Sequence, residues 1–171
     1  MPDLFLAQAK NNAWANATLY RALLALSQEE FTAERPGFFA SLAATMGHIY
    51  CVDLYYLDAL TQGGGGRALY NQDPEVDRRR LAEAQARTDE ALTRFCSALT
   101  PAMLNETRTT DRDDGPMEER VDRLLLHLFQ HQVHHRGQAH VQLQHAGVAP
   151  PQLDEFYLEY DRAPSAEAYW T

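Results

Sequence analysis

The sequence predicts an all-α fold, a four-helix bundle, in one domain spanning residues 1–171 with a C-terminal tail at 148–171. Three observations carry that expectation. Four segments of ~20–30 residues repeat their apolar positions at spacings of three and four, the period of a helix with one buried face. No comparable alternation of apolar and polar residues marks a set of strands. Glycine and proline punctuate the segments, as at Gly63 to Gly66 and at Pro150-Pro151. Helices of this kind bury their stripes against one another, and 171 residues suffice for one such core.

The first helix is expected over residues 3–26, with Leu4, Ala15, Leu19, Leu23 and Leu26 on its stripe. "SQEEF" from Ser27 breaks it. The second follows "RPG" and covers 38–60, with Phe38, Leu42, Thr45, Ile49, Val52 and Tyr56 on one face. The four glycines end it, because ordering glycine in a helix costs the most backbone entropy. The third opens at "DPE". Asp73 suits the N-cap, Pro74 the first helical position, and Glu75 and Asp77 the positive end of the helix dipole. Its stripe runs from Leu81 to Leu99, and Thr100-Pro101 stops it. In the polar connection "NETRTTDRDDGPMEER", Asp114-Gly115 is a turn signal and "TRTTDR" a candidate short strand. The fourth helix is expected over 117–146, with Gly147 just past its end. The aromatic, acidic tail is a candidate for a short helix packed on the bundle.

Composition narrows the function. Fifteen Lys and Arg against 24 Asp and Glu leave a formal charge of -9. That balance lacks the basic footprint of a nucleic-acid binder. Cys51 and Cys96 belong to no CxxC pair, which argues against a disulfide scaffold or a cysteine zinc site and suits a reducing cytoplasm. The N-terminus has no signal-peptide pattern, and no stretch approaches ~18 uninterrupted apolar residues. A cytoplasmic chain with no membrane or nucleic-acid partner is therefore expected.

The chemistry concentrates in "LHLFQHQVHHRGQAHVQLQHAG", which holds six of the seven histidines. Residues four apart on a helix differ by only about 40° around its axis. His127, His131 and His135 therefore form one ridge, and His131 and His135 continue the core stripe of Val121, Leu124 and Leu128. Two imidazoles facing a core need partners for both ring nitrogens, since an unsatisfied buried polar group costs ~1–3 kcal/mol. A divalent metal satisfies them, and an i, i+4 histidine pair suits a shared ion. His48, isolated beside the inward stripe of the second helix, is the natural third ligand. Three histidines leave a coordination position open, the pattern of a catalytic site rather than a closed structural one. The bland alternative is a set of hydrogen-bonded core histidines. His127 sits off the stripe, so packing or a hydrogen bond to a ligand suits it better than ligation. His134, His140 and His145 point to the sides.

At these residues the chain resembles the DinB/YfiT-like superfamily, which is unrelated to the DNA polymerase sharing the DinB name. The last bundle helix of that family carries HxxxHRGQ, met here by His131 and His135-Arg136-Gly137-Gln138. "NAWAN" from Asn12 resembles its first helix, and "RPGFFASLAATMGHIYCVDLYYLDAL" its second, with His48 at the metal position and an acid at Asp53. The resemblance spans about residues 8–147. It implies an up-down-down-up four-helix bundle, commonly a homodimer, with nickel or zinc, or else iron, on His48, His131 and His135. It also implies a small-molecule substrate. Some relatives transfer low-molecular-weight thiols, some isomerise maleylpyruvate, and some have been suggested to be hydrolases. "YYLDAL" stands where many members carry tryptophan, so substrate identity does not carry over.

Smaller expectations follow. Gln138 is a candidate hydrogen-bond partner near the site. Asp53 either orients a ligand, acts as a base, or sits in an exposed salt bridge. Arg136 pairs with an acid, Gly137 permits close helix packing, and Cys51 is a buried apolar cysteine rather than a fourth ligand. Two functions compete: a metal-dependent transferase or hydrolase, and a non-catalytic metal-binding or stress-response bundle. A ferritin-like di-iron site is set aside because no ExxH occurs.

Overall fold

The computed structural model describes residues 2–170. Its helices are α1 (Pro2–Leu23), α2 (Gln28–Thr32), α3 (Leu42–Thr61), α4 (Arg67–Tyr70), α5 (Arg78–Ser97), α6 (Val121–His145) and α7 (Glu167–Trp170). A hairpin of β1 (Thr107–Arg112) and β2 (Gly115–Arg120) precedes α6. The four long helices are the expected ones. α1 packs on α5 and α6, and α3 packs on the same two. Among the described residues no helix is long and apolar enough to cross a membrane.

The boundaries differ from the sequence reading for local reasons. α3 begins at Leu42 because Ser41 Oγ accepts from the Ala44 N–H at 3.1 Å, capping the first turn. Phe38 stays in the preceding loop, 77% exposed. α5 begins at Arg78, not after Asp73. Asp77 is the cap, accepting from the Arg79 and Arg80 N–H groups at 3.0 and 2.9 Å. Pro74 has another use: its ring lies where a side chain on Gly47 would be, clamping the 71–77 connection to α3.

The largest correction is at the start of α6. "TRTTDR" is a strand as expected, but residues 115–120 form its partner, so 117–120 are strand and not the first turn of a helix. Pro116 suits a helix start as well as a strand next to a turn, which makes the segment ambiguous. Pairing across Asp114-Gly115, with Gly115 at φ 104, satisfies the backbone groups that the two strands turn toward each other. Tyr55 Oη donates to Asp111 O at 2.7 Å and Arg108 Nε to Leu60 O at 3.1 Å, fixing the hairpin to α3.

The core divides into two large apolar clusters and a smaller third around Trp14 and Phe156. One large cluster gathers Val52, Tyr55, Leu92, Leu125 and Leu128; the other gathers Leu19, Phe31, Leu42, Met46, Ile49 and Leu143. Each fully buried aliphatic or aromatic side chain contributes about 1.5–3 kcal/mol relative to exposure. Along each long helix, buried polar residues fall between the clusters: Asn12 and Asn16, Asp53, Gln85 and Asp89, Gln132 and Arg136. The tail packs as expected, and α7 is its short helix. Phe156 lies 5.6 Å from the ring of Trp14, whose Nε1 donates to Ser165 Oγ at 3.1 Å.

Candidate metal centre

His48 projects from α3, and His131 and His135 from consecutive turns of α6. The packing of α3 on α6 brings them together. One ring nitrogen of each lies within 4.8 Å of the others. The Nε2 atoms of His48 and His131 are 3.0 Å apart. A tetrahedral ion bound at ~2.0–2.1 Å needs its nitrogens a little over about 3 Å apart, so the spacing suits one. Gln138 Oε1 accepts from His135 Nδ1 at 2.8 Å, which fixes that ring and leaves its Nε2 lone pair free.

Electrostatics keeps these rings neutral. Burial, then the charge of His135, lowers the His48 pKa to about 4. Burial and the neighbouring imidazoles lower that of His131 to about 3. Burial also lowers that of His135, despite the Gln138 hydrogen bond. Neutral imidazole is the ligating form, so lone pairs are available at neutral pH. His131 Nδ1 is buried without a partner. Crowding so many half-buried ring nitrogens together makes sense if something shares them.

The trio forms part of the wall of a cavity of about 620 Å³. The Phe39 ring lies 4.6 Å from His48 and 5.7 Å from His135, and Tyr70 6.4 Å from His48. Tyr55 and Tyr56 continue the aromatic wall, and the β1–β2 turn region supplies Asp111, Arg112 and Asp113. The Arg67 guanidinium pairs with Asp113.

Of the other sequence-selected residues, His127 lines the cavity, its ring 5.1 Å from Tyr56 and 6.3 Å from His131. Gln138 bonds His135 and faces His134 Nε2 at 3.1 Å. His140 Nε2 meets Pro151 O at 2.7 Å, away from the trio. Cys51 is buried, as expected. Gly137 is exposed and a Cβ there would meet nothing within 4 Å, so close packing is not its role. Asp53 is 2% exposed, which rules out the exposed salt bridge. Its Oδ2 accepts from Gln85 at 2.7 Å and from Gln132.

Asp53 belongs to a buried network that the sequence reading missed. Asp89 accepts from Asn12 at 3.1 Å, Asn16 at 3.0 Å and Gln85 at 3.2 Å. Arg136 donates to Asn16 and Gln132 at 3.0 Å each and to Asn12. It reaches the acids through these amides; among the described residues it has no direct ion pair. Burial raises the Asp53 pKa to about 7 and that of Asp89 well above the usual range, and lowers that of Arg136 to about 10. The available signal was three i, i+4 polar pairs on inward stripes, at 12/16, 85/89 and 132/136.

The family model described as the DinB family matches residues 1–166. The chain belongs to the DinB family. This DinB-family chain is 25% identical over 159 residues to Protein DinB of Bacillus subtilis (strain 168), covering 90% of this chain and 92% of that one. The crystal structure of a DinB-like protein from Bacillus cereus ATCC 10987 superposes with a TM-score of 0.62 at 20% identity, covering 81% of this chain and 90% of the other. That likeness establishes a DinB-like fold.

Proposed function

We propose that this DinB-family chain binds one divalent metal ion, nickel or zinc before iron, on His48, His131 and His135. We further propose that the loaded site acts on a small molecule by thiol transfer or hydrolysis. The observation that carries this reading is the convergence of three neutral imidazoles on the wall of an open, aromatic cavity. The ion would supply Lewis acidity and lower the pKa of a thiol or water held beside it. Gln138 holds His135 in its ligating tautomer, and Phe39 and Tyr70 pack their rings beside His48. The rest of the reading follows from the resemblance: one domain, an up-down-down-up four-helix bundle, a homodimer, and a low-molecular-weight thiol as co-substrate. The open cavity favours the enzyme over a non-catalytic metal-binding bundle, which would have a closed coordination shell.

Elemental analysis of tag-free protein tests the core of the proposal. About one equivalent of metal per chain is expected, lost in both His48→Ala and His131→Ala. A wild type that stays empty after incubation with nickel, zinc and iron(II) overturns the metal site. Metal retained by His48→Ala means the third ligand is another residue.

A further inference from the structure

The wall of the cavity built by the β-hairpin carries a cation that has no carboxylate partner among the described residues. Arg112, the last residue of β1, lies over the rings of Tyr55 and Tyr56, its guanidinium carbon 5.7 Å from each centroid. Its Nε donates to Thr110 Oγ1 at 3.2 Å. Nη1 and Nη2 reach only the Tyr56 hydroxyl, at 3.5 and 3.4 Å. A guanidinium has five N–H donors; three are engaged here, two of them only at 3.4–3.5 Å, which leaves two for a ligand. Among the described residues no carboxylate lies within 4.0 Å of it.

The neighbouring charges are otherwise occupied. Asp113 is paired with Arg67. The Asp111 carboxylate accepts from the Arg67 N–H at 3.2 Å. Glu119 on β2 acts on Arg112 only at longer range, and His127 feels the charges of both. Hairpin, tyrosines and histidines share one cavity. From Arg112 the wall runs through the Tyr56 ring to His127, 5.1 Å away, and on to His131, 6.3 Å further.

We propose that Arg112 is the anion-reading end of this pocket, and that the natural ligand is a small carboxylate-bearing molecule lying along the tyrosines with its reactive end at the histidine trio. This rests on the proposed metal site for the reactive end alone. The planar fork of arginine matches a carboxylate through two parallel N–H donors, and two aromatic rings hold it in place while excluding water from one side. A merely structural Arg112, stacked to hold the hairpin, would show no preference for charge in a ligand.

The test has two arms on the full chain. In the first, cobalt-loaded protein is titrated with 6-mercaptohexanoate and 8-mercaptooctanoate and with the ω-hydroxy thiols of equal length, following the metal absorption bands. In the second, metal-free protein is titrated calorimetrically with 3-phenylpropionate and 3-phenylpropanol. Wild type is expected to favour the carboxylate over the neutral partner by about tenfold or more, in a salt-dependent way. Arg112→Gln should lose that preference while binding the neutral ligands as wild type does, and Arg112→Lys should keep part of it. No carboxylate preference in either arm overturns the proposal, whatever the metal does. A preference that survives Arg112→Gln also overturns it. If cobalt is not taken up, the metal reading fails, and a preference in the metal-free arm still upholds the anion site.

Discussion

Asp53 follows His48 on α3 by little more than one turn, and Gln132 is the residue after His131 on α6. Yet the two sets of side chains live under opposite rules. The network of Asp53, Asp89 and Arg136 is bonded mostly to itself, with asparagine and glutamine amides joining acids to arginine in a layer between two apolar clusters; only Asp53 Oδ1 and Gln85 Oε1 lack a partner in it. The histidine layer opens into a cavity, and its nitrogens face one another with few protein partners. One layer engages most of its polar groups within the protein, the other leaves them for something that arrives. The same pair of packed helices builds both, because a shift of one residue turns a side chain about 100° around the axis.

The sharpest way to break the comparison is to remove the arginine from the buried layer. Arg136→Met should cost about 3–5 kcal/mol of folding stability, measured by urea denaturation of metal-free protein, because the buried Asn12, Asn16 and Gln132 oxygens lose their donor and the two acids their nearest positive charge. A cost below about 1 kcal/mol would show that the acids are neutral without it.

A pH series sharpens the same layer. Folded Asp53 holds its proton up to about 7, against the ordinary 3.8 of a free side chain. The folded state therefore binds an extra proton between those values. The resulting stabilisation is complete below about pH 4 and lost as pH rises through 7, with a span of at most on the order of 4 kcal/mol. Asp53→Asn should flatten that slope in urea melts across the window. The Asp53 charge also helps to raise the pKa of Asp89, so the change in slope reads the two acids together.

The smallest effect belongs to the open layer. Gln138→Ala removes the hydrogen bond that orients His135 and should weaken metal binding about 10–100-fold in competition with a chelator. Stability of the metal-free protein should hardly change, the opposite signature to Arg136→Met.

The long helices were legible because their apolar residues recur every three to four positions, and His131 and His135 because they interrupt such a stripe. The start of α5 was misplaced because Asp73-Pro74 and Asp77 are both good opening signals; only the packing of Pro74 on Gly47 decides between them. The hairpin was half seen, since "GPMEER" carries neither a strand alternation nor an apolar face to identify it. The buried network was invisible for a different reason. Asn12, Asn16, Gln85 and Gln132 look like ordinary polar helix residues until their partners on three other helices are known. Arg112 shares that fate: its place at the cavity depends on the hairpin fold.

The tail has an optical consequence. The chain has two tryptophans, and both pack against Phe156: Trp14 at 5.6 Å and Trp170 at 5.5 Å, the latter under the Arg162 guanidinium at 3.8 Å. Indole emission therefore reports the seating of residues 156–170 on α1. The histidine cavity is lined by tyrosines and phenylalanines and holds no indole of its own among the described residues. Fluorescence excited at the indole band reads the seating of the tail, while the histidine trio lies on a different wall of the molecule.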